Sequence, residues 1–456
     1  MEIELEINNV VPLRENIELY KKLKSDENNN VILVSDMYLP QKVIRHMLVK
    51  ADSCFEDAIL YLSCECDHKT KHYGSLYSYV KNEEKISLNN WLHYGDNPHA
   101  DIRRAKEKGV TAELIPQLGM SRFDTYLTCL SNKSCVIDAI VGASRLGRKK
   151  YMSEAYKLGL DVTGPLLYSY VNWVLDNAIS NNYEDLYFVS RDGFVLKLIA
   201  DKIIKKNNLN IKTHYLYGSR LAWRLMDADN YDLFIDSVFN DFKYEREITI
   251  DLLAVKLNVK VSDLYEYFGK KLNKFSNADI YRNMFKQNIE FKEYLIKCHD
   301  IKKELLVKYI RQECGKNPRE IILVDLDGSG KTQDFLQSIL SHSFDCSVNC
   351  YYFLQFYTAK QTDKSKKYSY FLTKDYFDNW IEILMCSMEG QLLEYCDKGG
   401  IIVPKLDFYP VEQMKSWGFD DYIDGINIYV DNIMEYEKIN YINSKTTDTQ
   451  FEVLSE

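Results

Sequence analysis

The chain has 456 residues, more than one ordinary core accommodates, so about two to three domains are expected. A hydrophobic share of 46%, a charged share of 27% and only 19 glycines and 8 prolines exclude collagen-like, mucin-like and largely disordered chains. The net charge of −9 argues against a general nucleic-acid or anionic-membrane surface. Apolar runs such as 321–324 fall far short of the roughly 18 residues a spanning helix needs. The acidic start Met1-Glu2-Ile3-Glu4-Leu5-Glu6 is unlike a signal peptide.

From the N-terminus, Asn16–Lys24 reads as a helix leading into an alternating pattern. Val31–Ser35 is an apolar run ending on a hydroxyl. Gln41–Ala51 has helical spacing, with Pro40 suited to its first turn. Ala58–Ser63 is apolar, Tyr73–Val80 helical, Trp91–Asp96 apolar then acidic, Pro98–Lys108 helical and stopped by Gly109, and Thr111–Pro116 a last strand. Strands alternating with helices over short loops predict parallel crossovers and a doubly wound α/β sheet over residues 1–120. Residues 121–150 read as a solvated linker with a basic patch, Ser144-Arg145-Leu146-Gly147-Arg148-Lys149-Lys150.

A second α/β domain is expected over 151–442. Tyr156–Ala178 is an apolar helix interrupted at Gly164-Pro165. Strands are expected at Leu186–Ser190, Lys212–Gly218, Glu320–Val324 and Cys346–Tyr357, with helices after the first and third. Residues of about 230–315 form a helical insertion without strand signals. Residues 375–397 and 412–440 read as helical, and 443–456 as a flexible tail. The predicted class is α/β, with two doubly wound parallel-sheet (Rossmann-like) domains, the second carrying the insertion. Of eleven cysteines, only Cys64/Cys66 and Cys346/Cys350 lie close together, and neither pair has a partner pair at zinc-ribbon spacing. They read as reduced thiols of a cytoplasmic protein.

Three motifs carry chemistry in the first domain. Ser35 closes a strand in Val31-Ile-Leu-Val-Ser35-Asp36-Met37-Tyr38. Lys71 opens a helix in Lys71-His-Tyr-Gly74. Asp96 and Asp101 follow a strand in His93-Tyr-Gly95-Asp96-Asn97-Pro-His-Ala-Asp101. Phosphoryl chemistry needs a hydrogen-bond donor, a fixed cation and a metal, and these residue types supply them. In order and spacing they resemble the second, third and fourth motifs of the haloacid dehalogenase superfamily. The resemblance implies that Ser35 and Lys71 support a bound phosphate, that Asp96 and Asp101 hold Mg, and that an aspartate attacks the phosphate ester. The nucleophile of that superfamily belongs to an earlier Asp-x-Asp pair. Upstream of Ser35 the only aspartate is Asp26, in a polar turn with no apolar strand before it. Glu4–Lys24 resembles cap helices instead. The expectation is a hydrolase-like domain that begins inside its cap: truncated, completed by another chain, or decayed to a scaffold.

The chain also resembles predicted bacterial hydrolases of that superfamily from surface-polysaccharide gene clusters. The likeness rests on Ser35-Asp36-Met37-Tyr38-Leu39, Ser190-Arg191-Asp192-Gly193, Ser219-Arg220 and Asp325-Leu-Asp327-Gly328-Ser329-Gly330. It implies a phosphorylated small molecule or sugar phosphate as substrate and a protein partner in glycan biosynthesis; the charge balance and short apolar runs already predict no nucleic acid and no membrane insertion. The turn at Asp325 admits several readings. Asp325 and Asp327 fit an Asp-x-Asp nucleophile pair displaced by circular permutation. Ser329, Lys331 and Thr332 at a helix start resemble the phosphate loop of phosphoribosyltransferases, with Arg191-Asp192 as its pyrophosphate turn. A nucleotide P-loop would need a glycine where Asp325 stands. A capped strand–helix turn needs no ligand. Arg191, Asp192, Arg220, Asp325 and Asp327 all fall at expected strand ends, and so predict a second anionic-ligand pocket that Glu382, Glu389 and Tyr395 could face. The leading function is therefore a magnesium-dependent phosphohydrolase. A transferase centred on 325–332 and a non-catalytic scaffold are the alternatives.

Overall fold

The computed structural model describes residues 2–87, 90–115, 121–130, 135–149, 151–226, 230–242, 249–272, 278–356, 361–373, 380–385 and 387–437. The chain is mixed α/β and forms two units, Met1–Asp161 with Ile428–Glu456, and Val162–Asn427. The expected tail at 443–456 lies outside the described residues.

The first unit contains β1 (Ile32–Ser35), β2 (Ile59–Leu62), β3 (Leu92–Gly95) and β4 (Thr111–Leu114). These pair as two separate parallel ribbons, β1 with β2 and β3 with β4. Apolar residues on one face of β1, Ile32 and Val34, pack with Leu76, Tyr77, Val80 and Trp91. Val31 and Leu33 on the other face pack towards Tyr20 and Phe55. Period-2 alternation thus gives β1 two apolar faces, yet all four of its residues remain half-exposed. A single continuous sheet over 1–120 is not what forms.

Residues 121–150 are not a solvated linker. They carry the helices Arg122–Leu130 and Cys135–Leu146, the second with Ile137, Ile140, Val141 and Ala143 buried. Arg148, expected on a basic surface, is buried and bonded to both Asp124 and Asp161. A desolvated guanidinium needs such partners, because an unpaired buried charge is strongly disfavoured.

The second unit is built on a five-stranded sheet of β5 (Asp185–Val189), β6 (Lys212–Leu216), β7 (Glu320–Gly328), β8 (Ser347–Phe356) and β9 (Lys367–Thr373). The strand order is β6-β5-β7-β8-β9, and every pairing is parallel. The run Ile321-Ile322-Leu323-Val324 is buried on both faces, as a central parallel strand requires. On one face Tyr187, Leu323 and Cys350 meet Ile310 of the helix Ile289–Cys314 and Leu336 of the helix Lys331–Ser341. On the other, the helix Gly164–Ser180, buried over most of its length, lays Tyr170 and Trp173 against Tyr351. Pro165 opens that helix rather than breaking it, following a π-helical turn at Gly159–Thr163.

The stretch from Tyr231 to Cys314 is mostly helical where described and has its own core, in which Phe268 stacks on Phe285 and Phe291 meets both edge to face. Residues 375–397 are not one helix: among the described residues of this stretch only Trp380–Leu384 is helical, and β10 (Leu392–Lys398) forms an antiparallel hairpin with β11 (Ile401–Leu406). The double glycine Gly399-Gly400, both at positive φ, makes the hairpin turn. The helix Phe419–Glu437 covers most of the expected 412–440 segment. No helix among the described residues is long and apolar enough to cross a membrane. Cys64, Cys66, Cys346 and Cys350 are free thiols.

Candidate functional site

In the first unit the structure brings Lys71 and Asp101 together. Lys71 Nζ lies 2.6 Å from Asp101 Oδ1, and both side chains are largely buried. Asp101 sits in a π-helical turn, Pro98–Arg103, which aims its carboxylate back over β3. There Oδ1 also contacts His93 Nε2 at 3.1 Å, and Oδ2 accepts from Asn97 N at 3.0 Å. A Cβ on Gly95 would fall 2.3 Å from this carboxylate, so the approach needs glycine. Burial pushes the Asp101 carboxyl up, but the bonds from His93 and Lys71 outweigh it and hold it well below the usual range. Asp36, next to Ser35, accepts from Lys71 N and His72 N and so fixes the start of the Lys71 turn. Ser35 is half-exposed at the end of β1, and Asp96 is exposed one residue beyond β3.

Both Asp101 oxygens are bonded, Oδ1 to Lys71 and His93 and Oδ2 to Asn97 N. Among the described residues no group of three His, Cys, Asp or Glu is arranged to hold a metal ion.

The second unit assembles more of the expected side chains. A pocket of about 310 Å³ opens at the carboxyl end of β7, lined by Arg220, Asp325, Asp327, Ser329, Lys331 and Thr332, six of the eight residues expected there. Its position follows from topology. The chain passes from β5 outwards to β6, then returns to place β7 on the opposite side of β5. Where the winding reverses, the helices leave the strand ends in opposite directions and leave a crevice.

Each wall has a local cause. β7 runs on through Asp327 to Gly328, so Asp325 and Asp327 project from the same side of a strand at period 2. Gly328 and Gly330 both take positive φ, 138° and 75°, and turn the strand into the helix Lys331–Ser341. The first amides of that helix have no partner within it and face the turn. Ser219 caps the short helix Arg220–Trp223 by accepting from Ala222 N at 3.0 Å, and this places Arg220 at the rim. Arg224, Ser237, Phe335 and Tyr352 also line the pocket. Sequence reasoning missed them. Ser237 comes from the helical insertion and is bonded by Arg224 Nη2 at 2.8 Å.

Asp192 lies just beyond β5, within electrostatic reach of Asp325, Asp327 and Glu382. Burial first, then the charge of Asp325, pushes its carboxyl up to about 8, with Arg191 opposing. Burial also raises Asp325 to about 6, against a bond from Leu326 N and the charge of Arg220. Asp327 is raised by burial and by Glu382, again against Arg220. Both Asp325 and Asp327 stay half-exposed onto the pocket. Three basic side chains (Arg220, Arg224, Lys331) line the pocket with Asp325, Asp327 and Glu382, and burial raises the first two of these carboxyls. The shifts ease protonation of Asp325 and Asp327, which lowers the negative charge opposing a bound anion.

Arg191 is exposed and is not part of the lining. Its backbone holds φ at 71°, and its N–H donates to Tyr215 Oη at 2.7 Å. Tyr215 in turn donates to Glu389, which also accepts from Tyr217 at 3.1 Å. Glu389 thus braces the Arg191 turn from behind and does not face the pocket, whereas Glu382 does. Tyr395 is buried in the β10 strand, where it accepts from Trp223 Nε1 and donates to the Tyr217 carbonyl. Comparison of the chain with protein-family models and with curated proteins finds no match.

Proposed function

We propose that this protein carries out phosphate-ester chemistry on a small phosphorylated molecule, of the sugar-phosphate class, and that the second unit holds the site. The observation that carries this reading is the pocket itself. It joins a glycine turn at a helix start, Arg220 and Lys331 to the carboxylates Asp325, Asp327 and Glu382. The amides and cations suit a phosphate, and the carboxylates suit a reacting centre or sugar hydroxyls. At about 310 Å³ the pocket is at the small end of ligand sites, which fits a monosaccharide phosphate better than a dinucleotide.

In the hydrolytic form, an Asp325 oxygen attacks phosphorus, and the sugar oxygen leaves with a proton from Asp327. Water then cleaves the acyl phosphate and regenerates Asp325. Asp325 stands at the carboxyl end of the central strand of five, with Asp327 two residues on, as such a pair needs. A transferase reading, with the phosphate as anchor and reaction at carbon, is favoured by the glycine turn at the start of the helix Lys331–Ser341. The second unit reads as a doubly wound, Rossmann-like sheet, its strand order reversing beside the pocket. The first unit reads as haloacid-dehalogenase-like, with Ser35, Lys71, Asp96 and Asp101 in supporting positions. The free thiols are consistent with a cytoplasmic setting, and the sugar-phosphate reading with cell-surface glycan synthesis.

Calorimetric titration with glucose 1-phosphate tests the site. Binding is expected in the parent and in Asp96→Asn, and is expected to weaken at least about tenfold in Lys331→Ala or Arg220→Ala. Hydrolysis of p-nitrophenyl phosphate, with magnesium in the buffer, is expected to vanish in Asp325→Asn while binding persists. Binding that ignores Lys331 and Arg220 would remove the pocket from consideration. Turnover indifferent to Asp325 but dependent on Lys71 would return the chemistry to the first unit.

A further inference from the structure

The turn that lines the anion side of the pocket is held from behind by a lysine that never reaches the pocket surface. Lys367, at the start of β9, has a fully buried side chain. Its stem lies flat against Gly330: a Cβ on that glycine would fall 2.1 Å from Lys367 Cε and 2.5 Å from Cδ. Its Nζ bonds Asp334 Oδ1 at 2.6 Å, and Ser365 through both its Oγ, at 3.2 Å, and its carbonyl, at 3.3 Å. Ser365 Oγ donates to the same Asp334 oxygen at 2.8 Å.

Asp334 closes the arrangement from the helix side. Its backbone N–H donates to the Gly330 carbonyl at 3.1 Å, the first intrahelical bond of Lys331–Ser341. Gly330 is therefore gripped twice, through its carbonyl by Asp334 N and through its α-carbon by the Lys367 stem. The next residue in, Gln333, is buried and donates to the carbonyls of Val348 and Lys366. That fastens the first helical turn to β8 and to the strand entrance that carries Lys367.

We propose that Lys367 is a positioning residue for the phosphate turn, acting through Gly330 and Asp334 to hold the amides of Gly330, Lys331 and Thr332 in one anion-binding geometry. This deepens the proposed function and rests on it. Two physical consequences follow. Without the stem behind it, Gly330 at φ 75° is free to leave the left-handed region, and the amides then converge only part of the time. Without the ammonium, Asp334 near the first turn is left with less compensation, and its negative charge opposes an incoming phosphate. Both losses act on anion affinity, although Lys367 is not itself in contact with the ligand.

The test uses the full chain, inorganic phosphate and glucose 1-phosphate, with affinity read by calorimetry and the Gly328 and Gly330 amides by TROSY NMR. Lys367→Met, which keeps the stem and removes the charge, is expected to weaken both ligands about tenfold. Gly330→Ala, which forces a side chain into the stem, is expected to do the same. The pair is expected to be strongly non-additive, with the double variant little weaker than either single one, because both act on one turn. The Gly330 amide shift on phosphate addition is expected to shrink in Lys367→Met. If that variant does not fold, Ser365→Ala, which removes a shared partner of Lys367 and Asp334 and leaves both charges in place, is expected to weaken phosphate in the same direction, and unchanged affinity there overturns the proposal.

A purely structural role would lower the melting temperature while leaving the affinity of the folded protein and the Gly330 shift as in the parent. That result, or additive effects of the two substitutions, overturns the proposal for Lys367. Absence of phosphate binding in the parent, or binding indifferent to Lys331→Ala, overturns the proposed site instead, so the two failures are told apart.

Discussion

Asp192 shows how a single side chain can couple the pocket to pH. Its carboxyl is pushed up to about 8 by burial and by Asp325, whereas an unfolded aspartate titrates near about 3.9. The folded state therefore binds the extra proton across that interval. The stabilisation is fully present below about pH 4 and is lost as pH rises through about 8. Asp192→Asn removes this dependence. Its melting temperature is expected to exceed that of the parent by about 2–4 °C at pH 8 and to match it near pH 4, by scanning fluorimetry. Equal shifts at both pH values would show that Asp192 ionises normally. In the first unit the opposite holds for Asp101, whose partners Lys71 and His93 keep it ionised. Residue types at both places were legible in the sequence: Asp101, Asp192, Asp325 and Asp327 were singled out by their position after apolar runs, and Lys71 by opening a helix. What could not be read there is that Asp101 is spent on Lys71. That contact depends on a π-helical turn, and one extra residue in a helix leaves no composition signal.

At the scale of elements, the end of β5 carries stored strain. Arg191 sits in the left-handed region at 71°, where the Cβ of an L-residue crowds the following carbonyl at a cost of about 1–2 kcal/mol. The bond from its N–H to Tyr215, itself bonded to Glu389, keeps it there. Gly193 follows because a Cβ would lie 2.8 Å from the Phe188 carbonyl carbon. Arg191→Gly is expected to raise stability by about 0.5–1 kcal/mol in urea unfolding, by relieving this strain. A loss of stability would mean that the arginine side chain matters more than its backbone. The strands β1 to β8 lie where apolar runs bounded by turn residues placed them. β10 and β11 were missed, because Glu394, Tyr395 and Cys396 alternate too weakly to outweigh helical spacing. Their hairpin forms because Leu392, Tyr395 and Ile402 find a face of the second unit's core to cover.

At the scale of the whole molecule, two units with separate cores predict two separable unfolding events. Leu76 is fully buried in the first unit, and Leu76→Ala is expected to cost about 2–5 kcal/mol there. Calorimetry should show one transition falling while the other, raised by added phosphate, stays in place. A single transition that moves as a whole would mean that the units unfold together. The sequence by itself determined the α/β class, the order of most strands and the residue types at their ends. Those follow from local periodicity and turn chemistry, which act over a few neighbours. Only the tertiary structure decided which of those ends meet. The helices Arg122–Leu130 and Cys135–Leu146 stand where a solvated linker was expected, with buried Arg148 bonded to Asp124 and Asp161. The two ribbons of the first unit did not pair with each other. Asp325, Arg220 and Glu382, 105 and 162 positions apart by number along the chain from Arg220, converged because the winding of the second sheet reverses between β5 and β7. Long-range convergence of this kind depends on strand order, and no short stretch of sequence encodes it.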